Sequence, residues 1–380
     1  MTTGILLTTH YTPHVLEAFD SVVGIMRNLQ GGWAIRGFHA NGASFFFLFV
    51  FFHIGRGVFY HSFFLAKTWV IGVHIFLLLM IVAFTGYVLP WGQMSYWAAT
   101  VITNLVTAIP FIGGSLVEFI WGGATVCDAT LKRFFAFHVL GPFLLALLAA
   151  LHMLYLHEDG SSNPLGVKTA SESTPFHPLF TYKDVLGMAV LVGAISMVVL
   201  VKPDMFTDPE NFMPADPTKT PVHIQPEWYF LFAYSILRSV PNKLGGVVLL
   251  LSSVLVLYTL PFCMKPKIKG TQHNYAGKIL FWVFVTNFFC LTSLGACSVE
   301  YPFDLAPIFC TLYYFGFFLL YSPCCYMWEK MVIMACTNFK GGQEEGATLN
   351  EVPSTTVSLA KVESSISKRR KAVISALNKK

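Results

Sequence analysis

The chain has 380 residues, of which 55% are apolar, 16% are aromatic and only 12% are charged, and its formal net charge is +5. A soluble protein of this length would need more charged side chains to cover its surface. The composition therefore indicates a protein that is embedded in the lipid bilayer. Nothing in it indicates nucleic acid as a partner.

Long uncharged windows follow one another along the chain, and a helix needs about 20 apolar residues to cross the hydrocarbon core. Seven windows approach or exceed that length, at residues 37–55, 69–91, 134–157, 185–201, 244–264, 279–299 and 305–328. We therefore expect an all-α fold, a polytopic bundle with seven full transmembrane helices.

The first residues, 1–15, are uncharged but too few for a further span. They lack the basic start and the small-residue cleavage pattern of a signal peptide. We expect them to be the end of a truncated first span, whose missing half is filled by another polypeptide or by upstream residues.

Polar and proline-rich segments divide the chain into three regions: residues 1–201, 202–335 and a basic tail, 336–380. Residues 92–133 are rich in Trp, Gly and apolar residues, which predicts a helix lying along the membrane surface. Residues 158–184 form a polar loop. Six prolines between residues 202 and 226 argue against a regular helix until after Pro226.

The tail holds seven basic residues against one acidic residue in its last twenty positions. This composition is typical of a partly disordered segment. The alternative is a short amphipathic helix on the membrane or on a partner subunit. The eight cysteines contain no C-x-x-C pair, so we interpret them as packing residues.

Four histidines repeat one spacing. His39 and His53 are fourteen residues apart in one span, and His138 and His152 are fourteen apart in another. Fourteen helical residues make about 3.9 turns, so both members of a pair point the same way at different depths. One span separates the two histidine spans, so they run parallel, which predicts two bis-histidine sites stacked across the bilayer.

Neutral imidazoles on both sides of a site suit the iron of a heme, and two hemes held between two parallel helices would carry electrons across the membrane. Ionisable groups inside a membrane are costly and usually mark function. For a lone histidine, His74, we prefer the interpretation of a hydrogen-bonded core residue.

Other residues near the histidines fit heme binding. Arg36 and Arg56 bracket the first histidine span, where they can pair with heme propionates or extend into the two interfaces. Gly72 and Gly86 are also fourteen apart, and positions without side chains let a flat macrocycle approach the backbone. Glycine in membrane helices also serves helix packing.

The order and spacing of several strings resemble mitochondrial cytochrome b over roughly residues 3–335. These strings are GGWAIRGFHANGAS, HIGRG, FTGYVLPWGQMSYWAATVIT, RFFAFH, LHEDGSSNPLG and PEWYF. The resemblance implies that His39 and His138 ligate a low-potential b heme, and that His53 and His152 ligate a high-potential b heme. It places Gly4 beside the first heme.

The resemblance also implies two quinone sites. Ubiquinol oxidation is expected beside Pro226, Glu227, Trp228 and Tyr229, with Glu227 as the proton acceptor; three further residues, Phe84, Tyr87 and Tyr234, would line that pocket. Ubiquinone reduction is expected near His157 and Asp184, which could protonate the reduced quinone, with Ser161, Phe176 and Lys183 close by. Each site adjoins one heme, because the 202–243 and 158–184 loops lie at opposite ends of the spans.

The implied protein is the core subunit of a respiratory ubiquinol:cytochrome c oxidoreductase, complex III. One quinol electron would pass to a Rieske iron–sulfur protein and the other through both hemes to the second quinone site, coupled to proton translocation. The expected partners are that protein, a membrane-anchored c-type cytochrome, other subunits and a second copy. The expected location is the mitochondrial inner membrane.

One departure from the family concerns Ala98, where the family usually has glycine. The added methyl group would face the quinol-oxidation pocket and hinder rigid inhibitors of the methoxyacrylate (strobilurin) class.

Two other functions stay open. A ferric-reductase-type heme oxidoreductase would need a flavin and nicotinamide module, yet no G-x-G-x-x-G motif follows the spans. A non-redox transporter with intramembrane histidines would show no heme absorption.

Overall fold

The computed structural model describes residues 1–167, 173–265 and 269–347, with side chains up to residue 335. Within these ranges the regular structure is helical, which confirms the predicted all-α fold. The helices are α1 (Thr2–Thr8), α2 (Ala18–Asn28), α3 (Gly32–Phe59), α4 (Ala66–Val88), α5 (Gln93–Asn104), α6 (Gly113–Trp121), α7 (Asp128–Asp159), α8 (Leu179–Val201), α9 (Leu231–Arg238), α10 (Lys243–Leu255), α11 (Tyr275–Ala296) and α12 (Ala306–Ala347).

Seven helices of the described chain are long and apolar enough to cross a membrane, and they correspond to the seven predicted windows. They are α3, α4, α7, α8, α10 with its 3-10 continuation to Phe262, α11, and α12 as far as Ala335. A helix satisfies its own backbone hydrogen bonds, so it is the form in which such apolar runs can enter lipid.

Several spans are longer than the uncharged windows that predict them. Helix α3 runs over Gly32–Phe59 and includes Arg36 and Arg56, although the uncharged window covers only residues 37–55. Long basic side chains extend from a helix end towards the interface, so a charge does not end a membrane helix.

The segments between spans contain the shorter helices. Helices α5 and α6 lie between α4 and α7, where interfacial helix was expected. The proline-rich segment before α9 contains only short 3-10 turns, at Pro209–Phe212 and Trp228–Phe230, which confirms that regular helix begins after Pro226.

Two apolar clusters hold the bundle together. The larger joins α3, α4, α9, α11 and α12, and at its centre the rings of Phe47 and Tyr229 stack with centroids 4.1 Å apart. The smaller joins the end of α4, α5 and the start of α7 around Val88, Ala99 and Leu131. Apolar side chains on α7 and α8, such as Leu147 and Leu186, are exposed, as the surface of a membrane-embedded helix requires.

The chain divides into a compact unit, Met1–Glu329, and a C-terminal unit, Lys330–Lys380. Of the second unit, the structure describes α12 as far as Ala347. The amphipathic helix and the basic residues expected near the end of the tail lie outside the described residues.

Candidate functional site

The four histidines of the repeated spacing lie as two pairs at two depths of the bundle. The rings of His39 and His138 are 5.9 Å apart, and those of His53 and His152 are 6.1 Å apart, each pair edge to face. One ring of each pair comes from α3 and the other from α7. Two imidazoles at this separation can face a single metal ion.

Hydrogen bonds fix the orientation of the first pair. Nδ1 of His138 lies 2.8 Å from the carbonyl oxygen of Val82. A carbonyl only accepts, so Nδ1 carries the proton and Nε2 keeps a lone pair for a metal. Nδ1 of His39 lies 3.1 Å from the hydroxyl of Thr3. Such partners orient histidine ligands in metal sites.

Glycines leave space beside three of the four rings. A Cβ on Gly4 would lie 3.1 Å from Cε1 of His39, and one on Gly72 would lie 3.1 Å from Cε1 of His152. A Cβ on Gly86 would collide with the ring of His138. Without side chains at these positions the backbone can approach the three rings, and the two imidazoles of each pair keep facing each other. Paired imidazoles are a ligand set of heme iron, so the residues present fit a heme at each pair.

The two arginines occupy different environments. Arg36 is partly buried one helical turn before His39, and its guanidinium interacts electrostatically with the carboxylate of Asp204. Arg56 is exposed, three residues after His53, and its guanidinium lies 5.8 Å from the centroid of the Tyr60 ring. Each arginine lies near a histidine of one pair, and its positive charge can pair with an anionic group.

A separate cavity lies at the end of the bundle where α4 ends. Its lining residues come from α4, α5 and the segment before α9, and they are Phe84, Tyr87, Ala98, Ile102, Pro226, Glu227 and Phe230. The sequence-based interpretation assigns five of these residues to the quinol-oxidation site: Phe84, Tyr87, Ala98, Pro226 and Glu227. It missed Ile102 and Phe230.

Glu227 is the carboxylate of this lining. Burial, with a smaller contribution from the negative charge of Asp208, raises its pKa to about 7, and the nearby hydroxyl of Tyr87 opposes the rise. A carboxyl with this pKa changes its protonation state near neutral pH, which suits a residue that accepts and passes on a proton.

Three aromatic residues expected at this site make contacts outside the cavity lining. Trp228 donates its indole N–H to the hydroxyl of Ser44 at 3.1 Å, and Tyr229 is buried against Phe47. Tyr234 donates its hydroxyl to the Ile224 carbonyl at 3.3 Å. They therefore hold the segment that carries Glu227.

A distant segment holds the start of α5, which carries Ala98. The side-chain oxygen of Asn211 accepts the backbone N–H of Ser95 at 2.9 Å, and the Ser95 hydroxyl donates to the Tyr87 carbonyl at 2.7 Å. The side chain of Gln93 accepts from the backbone N–H of Asp216 at 2.8 Å. No sequence motif indicated the contacts of Asn211 with Ser95 and of Gln93 with Asp216, because each joins residues more than one hundred positions apart.

The residues expected at the second quinone site lie at the opposite end of the bundle. His157 lies in the last turn of α7, Ser161 follows the end of that helix, and Lys183 and Asp184 lie in the first turns of α8. All four are exposed, as is Phe176. Among the described residues, no hydrogen bond or ion pair joins His157, Ser161 and Asp184.

Two family models match the chain and together cover more than half of it. The model described as cytochrome b/b6/petB matches residues 1–160, and the one described as cytochrome b(C-terminal)/b6/petD matches residues 214–315. A solved structure titled "Hyperthermophilic respiratory Complex III" contains a chain that is similar to this one. The two chains share 31% identity with a TM-score of 0.81, over 87% of this chain and 88% of that chain.

Proposed function

Because the chain belongs to the cytochrome b family, whose members are b-heme-binding membrane proteins, we propose that it is the quinol-oxidising core subunit of a ubiquinol:cytochrome c oxidoreductase. Its similarity to the family models and to a chain of a respiratory complex III makes it a multi-pass redox subunit of a cytochrome bc-type respiratory complex that associates with other subunits.

The paired histidines are the proposed ligands of two b hemes. His39 and His138 would hold the low-potential heme, and His53 and His152 the high-potential heme, with Gly4, Gly72 and Gly86 leaving room beside the rings. Arg36 and Arg56 would pair with propionates. When bound, the two hemes supply one-electron transfer along the membrane normal.

Glu227 is the proposed proton acceptor for quinol oxidation. A quinol in the cavity would contact apolar walls from Phe84 and Ile102, and its hydroxyl would donate to the carboxylate. Burial holds the pKa of Glu227 near 7, so the group takes the proton and can release it to the aqueous phase. Tyr87 lines the same cavity, with its hydroxyl close to the carboxyl of Glu227.

His157 and Asp184 are the proposed proton donors at the quinone-reduction site. Both side chains are exposed at the end of the bundle where the His53 and His152 pair lies, so water can resupply their protons. Lys183 and Ser161 would orient the quinone oxygens, and Phe176 would contact its ring.

The proposed partners follow from this division of sites. One quinol electron would leave to a Rieske iron–sulfur protein and then to a membrane-anchored c-type cytochrome. The other would cross the membrane to the second site, releasing and taking up protons on opposite faces. We propose a homodimeric complex in the mitochondrial inner membrane.

The observation that carries this proposal is the Glu227 cavity at the same end of the bundle as the His39 and His138 pair. The purified complex would be assayed for decylubiquinol:cytochrome c activity with Glu227→Gln and with Glu118→Gln, an exposed carboxylate on α6. We expect Glu227→Gln to lower the rate by at least about tenfold, and Glu118→Gln to leave it unchanged. Equal rates in both variants would refute the role of Glu227.

A further inference from the structure

A buried histidine outside both histidine pairs joins three separate parts of the chain. His61 follows α3, and only 3% of it is exposed. Its Nδ1 lies 3.0 Å from the backbone nitrogen of Gly270, and its Nε2 lies 3.0 Å from the hydroxyl of Tyr321, a residue of α12 that is 1% exposed.

The direction of each hydrogen bond in this group is fixed. The Gly270 N–H can only donate, so Nδ1 of His61 accepts and Nε2 carries the proton that it donates to Tyr321. The hydroxyl of Tyr321 then donates to the Val58 carbonyl at 3.3 Å. Burial lowers the pKa of His61 to about 4, so the ring stays neutral at physiological pH and the group stays intact.

Contacts continue from this group to the segment of residues 160–167. Ser62, next to His61, lies 2.8 Å from Ser162 through their hydroxyls. Gln272, two residues after Gly270, donates its side-chain amide to the Pro164 carbonyl. Gly166, in the left-handed region with φ +71°, has no room for a side chain because the Lys269 carbonyl lies against it.

The segment of residues 160–167 therefore rests on two supports, and His61 connects them. One is the turn after α3, and the other is the segment of residues 269–272. Thr271, which is fully buried, strengthens the second support by donating its hydroxyl to the Phe59 carbonyl at 2.6 Å. Ser161 lies on the supported segment, next to Ser162.

We propose that His61 is a positioning residue for the quinone-reduction site: by fixing Gly270 and Tyr321 it holds the segment of residues 160–167, and with it Ser161, in place. This inference rests on the proposed function, because it takes Ser161 to contact the quinone. His61 itself is enclosed and acts through its neighbours.

The test measures re-oxidation of b hemes in the intact complex. Hemes reduced with limiting dithionite are mixed with decylubiquinone, and the rate against quinone concentration gives KM and the maximum rate. The variants are His61→Leu and Tyr321→Phe. The matched control is Tyr313→Phe, which also removes a hydroxyl that donates from α12 to a backbone carbonyl, that of Leu280, but outside this group.

We expect His61→Leu and Tyr321→Phe to raise KM about three- to tenfold, which corresponds to the free energy lost with one net hydrogen bond. The maximum rate should be nearly unchanged. Tyr313→Phe should leave KM unchanged. Backbone amides of residues 160–167 should exchange hydrogen faster in the two variants and not in the control.

A double-mutant cycle separates positioning from general loss of stability. In a Ser161→Ala background, His61→Leu should add little to KM, because the residue that it positions no longer has its hydroxyl. Full additivity would contradict the proposal.

The variant Asp184→Asn distinguishes a failure of the positioning role of His61 from a failure of the proposed quinone-reduction site. If it raises KM while His61→Leu and Tyr321→Phe do not, positioning by His61 is wrong and the proposed function stands. If Asp184→Asn also leaves KM unchanged, the quinone-reduction site is misplaced and both ideas are overturned.

Discussion

Gly86 of α4 faces the imidazole ring of His138 of α7 so closely that a methyl group on Gly86 would overlap the ring. The ring cannot turn away without breaking the hydrogen bond between its Nδ1 and the Val82 carbonyl, 2.8 Å long. The α4 backbone thus fixes both the position and the tautomer of His138, and glycine is the residue that permits this approach.

Replacing Gly86 with alanine is therefore expected to displace His138 and to lose one of two b hemes, since overpacking at such a contact costs about 1–3 kcal/mol. Pyridine hemochrome analysis of the purified complex measures the heme content. Gly187→Ala is the matched control, because a Cβ on Gly187 of α8 meets nothing within 4 Å. Two hemes per chain in Gly86→Ala would show that the contact is unimportant.

Quinol oxidation should increase with pH around neutrality. Glu227 must be ionised to accept a proton, and its pKa of about 7 places half of the molecules in that state at pH 7. The negative charge of Asp208 raises this pKa. Asp208→Asn should therefore lower the pKa of Glu227 and move the increase in rate to lower pH.

The pH dependence of kcat/KM with decylubiquinol measures this shift. Asp216→Asn is the control, because Asp216 lies on the same segment but pairs with Lys219 at 3.5 Å. A profile that is identical in Asp208→Asn and in the parent enzyme would contradict the electrostatic coupling between Asp208 and Glu227.

Ala98 is buried, and it lines the Glu227 cavity. Its methyl group takes up space that a rigid ligand needs, and overpacking of about 1–3 kcal/mol weakens binding roughly ten- to hundredfold. Quinol is flexible and can shift. We expect an active enzyme that tolerates azoxystrobin, and Ala98→Gly should become sensitive. Inhibitors of the other quinone site should act equally on both.

The control for Ala98 is its neighbour Ala99, which is fully buried in the smaller apolar cluster. Ala99→Gly should leave the azoxystrobin concentration for half-inhibition unchanged. Potent and equal inhibition of the parent enzyme and of Ala98→Gly would refute the role of the methyl group.

The histidine arrangement could be predicted because a transmembrane helix is regular. A spacing of fourteen residues repeated in two parallel spans fixes the relative depth of His39 and His138, and of His53 and His152, before any packing is known. The seven spans were predictable for a similar reason, because lipid selects long apolar helices.

The remaining contacts of the sites depend on packing between distant segments, which no local pattern encodes. Asn211 reaches Ser95 across 116 residues, and His61 reaches Tyr321 across 260. Ile102 was missed because one apolar residue among many gives no signal. Its role depends on which side of α5 faces Glu227.

Ligation by the histidine pairs is tested most directly by the heme content of His152→Leu. Iron would lose an axial ligand, so pyridine hemochrome analysis should find one b heme per chain instead of two. His74→Leu should retain two, because Nδ1 of His74 is 2.8 Å from the Val70 carbonyl of its own helix and its ring lies beside Tyr258. Two b hemes with an unchanged spectrum in His152→Leu would contradict the assignment of the ligands.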